Sequence, residues 1–174
     1  MVETDRLIII PLNYDQLRLY LRGNGKLEKE LRLANNFRNV SEEARESAEF
    51  FILPSMKKAV SDNYLYYAFW LVVEKESRSI VGELGFKGIP NDKNEIEIGY
   101  GSFFGHRRKG FMAEAVGGMI EWAAQRPDVD YILAEADENN IASIKVLQKN
   151  NFKVFDKKGA MLWWKKEVVS TKAS

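Results

Sequence analysis

EIEIGYGSFFGHRRKGFMAEAVGGMIEWA, residues 95–123, changes period part-way, and that change decides the fold. From Glu95 to Ser102, polar or small residues (Glu95, Glu97, Gly99, Gly101) alternate with larger ones (Ile96, Ile98, Tyr100), the period of a strand. After Gly110, Met112, Val116, Met119, Ile120 and Ala123 recur at helical spacing and form one apolar face. Arg107, Arg108, Lys109 and Gly110 lie between the two patterns. The first turn of a helix carries unpaired backbone N–H groups and the positive end of its dipole. Cationic side chains beside that turn add charge, and Gly110 has no side chain to keep a ligand from the backbone. The segment is a candidate anion site, suited to phosphate or pyrophosphate. Neither G-x-G-x-x-G nor G-x-x-x-x-G-K-[ST] occurs, so the dinucleotide and nucleoside-triphosphate fingerprints are absent.

Working outward, Arg6–Leu12 reads as a short apolar strand, and Asn13 as the N-cap of a helix over Tyr14–Arg22 that Gly23-Asn24-Gly25 ends. Lys26–Leu33 adds a helical turn or two, and Asn35-Asn36 breaks the pattern. Ser41-Glu42-Glu43 starts a further helix running to about Leu53, where Pro54 is expected to kink or end it, Ser55–Val60 being its continuation in the first case. Tyr64–Val73 is nearly continuous apolar and aromatic sequence, the expectation for a strand buried on both faces. Ser79–Lys87 follows, then a Pro90–Lys93 turn into Glu95–Ser102. A helix over 110–125 stops before Pro127, and Tyr131–Ala136 is the next strand. Asn139 or Asn140 caps a helix to about Asn150, and Phe152–Phe155 with Met161–Lys165 closes the chain as a hairpin around Lys157-Lys158-Gly159. The order predicts one α+β domain over 1–167, with helices on both faces of the sheet, and a frayed tail over 168–174.

The 174 residues suffice for one domain with a real core. Hydrophobic content of 45% with 29% charged residues is a globular balance. A net charge of +1 gives no global argument for a nucleic-acid or anionic membrane partner. There is no cysteine, which excludes disulfides and thiolate catalysis, and the single histidine, His106, excludes a histidine-cluster metal site. No apolar run approaches the ~18 residues that span a bilayer. The acidic start MVETDRL is unlike a signal peptide, so the cytoplasm is the expected location.

Residues 138–152, ENNIASIKVLQKNNF, carry a second motif. With Arg107-Arg108-Lys109-Gly110-Phe111-Met112 it resembles the GNAT superfamily of N-acyltransferases, and most of all the branch that acetylates the N-termini of ribosomal proteins. The pattern E-N-x-A-S followed by V-L-x-K-x-G-F is matched at Asn140, Ala142, Ser143, Val146, Leu147, Lys149 and Phe152, with Glu138 or Asn139 ahead of them. Residues 3–12 resemble the family's first strand and 79–86 its third, so the likeness spans about Glu3 to Trp164. The resemblance implies a mixed, mostly antiparallel sheet of about seven strands, splayed between the fourth and fifth. It implies acetyl-CoA as acyl donor, no metal, and a primary amine as acceptor, from a small molecule or a protein N-terminus. Residues 22–62 and the closing hairpin would line the acceptor's pocket. A monomer or a homodimer fits equally.

By the same resemblance, Ile98, Gly99 and Tyr100 offer backbone to the thioester. Arg107, Arg108, Lys109, Gly110, Phe111 and Met112 form the pyrophosphate loop, and Asn140 and Ser143 contact the pantetheine arm. Glu97 is the expected general base, with Glu95 and Glu83 as other carboxylates in range. Many relatives protonate the leaving thiolate with a tyrosine where this chain has Leu147. That leaves Ser143 as the acid, or as a cofactor contact only. Arg108 stands where the branch often has glycine, and Asn151 replaces the usual glycine before Phe152, a residue that tolerates left-handed backbone. His106 reads as a packing residue. Trp163 and Trp164 are adjacent, so a strand would turn only one of them to the core. The competing reading is a binding module that holds acyl-CoA without turnover.

Overall fold

Leu71 and Val73 point to one side of their strand, Trp70 and Val72 to the other, and all four are buried. That double burial makes Trp70–Glu74 (β3) the centre of a two-faced fold. The computed structural model describes residues 1–35, 40, 42–59 and 61–168. The expected break at Asn36 and the expected helix start at Ser41 lie outside these, as does the tail from 169 onward. Val168 itself is buried, with its N–H donated to the Asp130 carbonyl at 2.8 Å.

β3 pairs antiparallel with β2 (Leu7–Pro11) on one side and β4 (Ile80–Phe86) on the other. β5 (Glu95–Ser102) follows antiparallel, then β6 (Tyr131–Asp137) parallel to β5. The closing hairpin is β7 (Lys153–Lys158) and β8 (Met161–Glu167), with β8 against β6. A two-residue β1 (Val2–Glu3) on the far edge raises the total from the expected seven to eight, in the order β1-β2-β3-β4-β5-β6-β8-β7.

Helix α5 (Phe111–Ala124) covers the face to which Ile9, Trp70, Val72, Ile96, Ile98 and Trp164 point, joined there by Leu147 of α6 (Ile141–Lys149). Trp163 is only partly buried, so the tryptophan pair divides as strand alternation requires. The other face takes Leu71 and Val73 against Leu17, Tyr20 and Leu21 of α1 (Tyr14–Arg22) and Leu27 of α2 (Lys26–Glu30). α1 begins in a capping box: Asn13 Oδ1 accepts the Gln16 N–H and Gln16 Oε1 accepts the Asn13 N–H.

One expectation fails locally. The strand over Tyr64–Val73 is shorter: Ser61–Tyr66 is a 3-10 helix, and the ladder starts at Trp70. The Trp70 indole donates to the Leu65 carbonyl and the Gly88 N–H to the Tyr66 carbonyl, so this stretch serves turns rather than a ladder. Pro54 disturbs its helix without ending it, and the helix continues beyond it, one of the expected outcomes. α3 (Glu42–Ser47) runs through a π-turn at Ala48–Ile52 into α4 (Leu53–Lys58). The Leu53 N–H reaches the Ala48 carbonyl five residues back, and Pro54 then falls in a first turn, where no N–H is needed.

Candidate active site

Three adjoining pieces of chain build one cleft of about 1010 Å³. The first is the loop between β5 and α5. Arg108 (φ 64°) and Gly110 (φ 80°) both adopt left-handed backbone, and Gly110 is the helix N-cap with no side chain closing it. The leading N–H groups of α5 therefore open onto the cleft, which Gly110, Phe111, Met112 and Ala113 line. Arg6 braces the loop from behind. Its Nη1 donates to the Lys109 carbonyl at 3.0 Å and its Nε to Glu114 Oε2 at 2.7 Å. Glu114 Oε1 also accepts from Thr4 Oγ1 and from the Arg6 N–H. Burial pushes the Glu114 carboxyl up, but these bonds together hold it below its usual range.

The second piece is the start of α6. Asn140 Oδ1 accepts the Ser143 N–H at 3.1 Å, an N-cap, and both residues line the cleft. Lys145 and Lys149 line it further along the helix. The third is the end of β5. β5 and β6 pair only at Glu95↔Tyr131, Ile96↔Ile132 and Glu97↔Leu133, although β5 continues to Ser102 and β6 to Asp137. Beyond Glu97 the strands part. Tyr100 crosses the gap, its hydroxyl 2.9 Å from Ser143 Oγ and 3.3 Å from the Ser143 carbonyl. Burial raises the Tyr100 phenol to about 12, against a smaller lowering by the Ser143 bond.

Cationic groups and open N–H donors at one end, with a strand gap at the other, suit a long ligand with phosphates at its tail. The residues fit the expected acyl-CoA in a further respect: His106 Nδ1, beside the loop, is buried with no hydrogen-bond partner among the described residues. A family model described as the acetyltransferase (GNAT) domain matches residues 6–153. The chain belongs to the GNAT acetyltransferase family. This GNAT chain is 31% identical over 166 residues to the uncharacterized N-acetyltransferase YjdG of Bacillus subtilis (strain 168), covering 94% of this chain and 96% of that one. Its fold is similar to RimL, a ribosomal L7/L12 alpha-N-protein acetyltransferase in complex with coenzyme A. There the TM-score is 0.65 at 15% identity, over 96% and 97% of the two chains. It is also similar to the Campylobacter jejuni N-acetyltransferase PseH in complex with acetyl coenzyme A, at 0.60 and 16%, over 92% and 99%.

Of the residues expected in the GNAT cofactor site, Tyr100, Arg107, Arg108, Gly110, Phe111, Met112, Asn140 and Ser143 line the cleft. Ile98, Gly99 and Lys109 do not. The Ile98 side chain is committed to the core, Gly99 lies on the opposite face of β5 under the Lys87 side chain, and Lys109 gives its carbonyl to Arg6. His106, expected only to pack, lines the cleft, and Lys145 was not anticipated. Its signal is faint: a lysine two residues after Ser143 reaches the cleft only because α6 packs at this angle.

The carboxylates sit across the sheet, on the α1 face. Glu97 is 22% exposed and ion-paired with Lys87 Nζ, which also binds Glu135 at 2.9 Å. Glu83 accepts from the Tyr20 hydroxyl and stands opposite Gly101 in the ladder, where a Cβ on Gly101 would meet open space. Glu95 is tied to Lys165 at 2.6 Å and to Asn91. The Asn91 bond, then Lys165, hold its carboxyl low. Among the described residues no cluster suits a metal ion, and no helix is long and apolar enough to cross a membrane.

Proposed function

We propose that the chain moves an acetyl group from acetyl-CoA to a primary amine by direct attack, with no covalent enzyme intermediate. The observation that carries this reading is the course of the cleft, from the open N-terminus of α5 to the gap between β5 and β6. When bound, acetyl-CoA supplies a thioester, whose carbonyl an amine can attack directly. Arg107 and Arg108 neutralise phosphate charge while the α5 N–H groups hydrogen-bond it. The α6 start holds the pantetheine arm, and β5 backbone past Glu97 polarises the carbonyl. An ammonium cannot attack until it loses a proton. Glu97, on the opposite face of the same strand, takes it through water. Bringing the two reactants together in one geometry supplies a large share of the rate.

The acceptor is a small-molecule amine or a protein N-terminus. RimL, by its name, acts on the latter. The β7–β8 hairpin closes on the two-residue turn Gly159-Ala160, a short loop that counts against a ribosomal-protein substrate and leaves a small-molecule amine at least as well supported. The test is release of free thiol from acetyl-CoA over a panel of amino sugars, polyamines and peptides with free N-termini, with mass spectrometry of the product. One observation favours a second reading, a module that binds acyl-CoA without turnover: Glu97 is already occupied by the Lys87 ammonium. Calorimetric binding of CoA with no thiol release for any amine would select that reading.

A further inference from the structure

Leu147 is fully buried in the core and carries no proton, so the hydroxyls at the strand gap must come from elsewhere. Two meet there, Ser143 Oγ and the Tyr100 hydroxyl, and both residues line the cleft. Tyr100 belongs to the even-numbered side of β5, with Ile96 and Ile98, which packs toward α5. Glu97 and Gly101 belong to the odd-numbered side, toward α1. One strand thus presents a hydroxyl on its cofactor face and a carboxylate on the other, three residues apart.

We propose that Tyr100 is a catalytic residue, whose hydroxyl hydrogen-bonds the departing CoA sulfur while accepting a hydrogen bond from Ser143. This rests on the acetyl-CoA reading above. As the N–C bond forms, the C–S bond breaks and its electron pair goes to sulfur. The amine's proton leaves on the opposite face toward Glu97 and water, and sulfur departs as a thiolate. A phenol raised to about 12 stays protonated through the working range. It is a weaker acid than a thiol of roughly 8.5. Tyr100 therefore donates a hydrogen bond to the anion without surrendering its proton, and the Ser143 hydroxyl behind it strengthens that bond. The phenol is also the better donor of the pair, so Ser143 takes the supporting role.

The experiment titrates the thiol of CoA bound to the enzyme, by thiolate ultraviolet absorbance in difference spectra at saturating CoA. In the wild type the bound thiol is expected to titrate below free CoA. Tyr100→Phe keeps the ring and should raise that titration by about one pH unit, the scale of a hydrogen bond to a charge. The same variant should lower kcat about tenfold, with KM for the acceptor unmoved. Ser143→Ala should shift the titration less. An identical titration in wild type and Tyr100→Phe overturns the proposal. So does a shift in Ser143→Ala alone, which would make the serine the sulfur's partner. If wild type binds no CoA by calorimetry, the cofactor reading fails first and takes the proposal with it.

Discussion

Arg108 and Asn151 hold left-handed backbone, φ 64° and 60°, at the two positions where the resemblance leads one to expect glycine. That expectation thus has a local backbone cause, and Asn151 is the less strained of the two because its short amide tolerates that region. For Arg108 the strain costs about 1–2 kcal/mol, while glycine's extra unfolded-state entropy is worth about 0.5–1 kcal/mol. Arg108→Gly is therefore expected to keep or raise the melting temperature while weakening CoA binding by about 1–3 kcal/mol, the scale of a charged hydrogen bond. Calorimetry of unfolding and of binding on one sample checks both signs. A gain in affinity would mean that the side chain crowds the loop. Glu97→Gln keeps the shape of its side chain and removes its basicity. Turnover should fall about 10²-fold at neutral pH and recover in part at high pH, where the free amine forms unaided. Initial rates across the pH range decide it. Wild-type rates throughout would pass the role to Glu83, which stands one ladder step from the open space over Gly101. Of the two motifs, Lys109 turns away from the cleft, but Arg107, Arg108, Gly110, Phe111, Met112, Asn140 and Ser143 were legible as parts of it because their backbone duties are local. His106 and Lys145 were not, since whether they face the cleft depends on how distant elements pack.

Element boundaries were legible where capping and period agreed, as at Asn13, Gly110 and Asn140. They were not where an apolar run had no period, as over residues 64–69. There the run packs well as a turn, and length alone favoured a strand. The π-turn before Pro54 was equally hidden, because sequence shows that a proline disturbs a helix but not how the helix absorbs it. Another tie invisible to periodicity joins the N-terminal segment to α5: Glu114, one turn into the helix, bonds Thr4 and Arg6 from more than a hundred residues away. Glu114→Gln should cost about 1–3 kcal/mol at neutral pH. The folded carboxyl is held below its unfolded value, so its contribution is complete above the unfolded value and fades as pH falls through the folded one. Denaturant titrations at neutral and acid pH should show the gap between variant and wild type closing in acid. A gap that persists there would assign the cost to packing of the amide.

On the scale of the whole molecule, the sheet is two half-sheets that share only the short parallel pairing between β5 and β6. The splay itself was legible through the family resemblance. What spans it on the α1 face was not, because Glu97 and Glu135 come from two strands and Lys87 from the bend after β4, and they meet only after folding. The Lys87 ammonium lies between Glu97 of one half and Glu135 of the other, across the start of the gap. Burial draws the lysine down, but its bonds to the two carboxylates outweigh that and leave it raised. A group raised on folding contributes fully below its unfolded value and loses that contribution as pH climbs through the folded one. Lys87→Met should therefore melt below wild type at neutral pH and converge with it at strongly alkaline pH. Half-exposed pairs are worth about 0.2–1 kcal/mol each, so the loss should be roughly 2–4 °C, smaller in high salt. The variant also leaves two facing carboxylates with no cation between them, and mutual repulsion there would widen the gap. Weaker CoA binding in the variant, with the α5 loop untouched, would identify Lys87 as the clip that sets the width of the cleft. Equal melting of the two proteins at neutral pH would mean that the β5–β6 pairing and the packing behind it hold the halves together unaided.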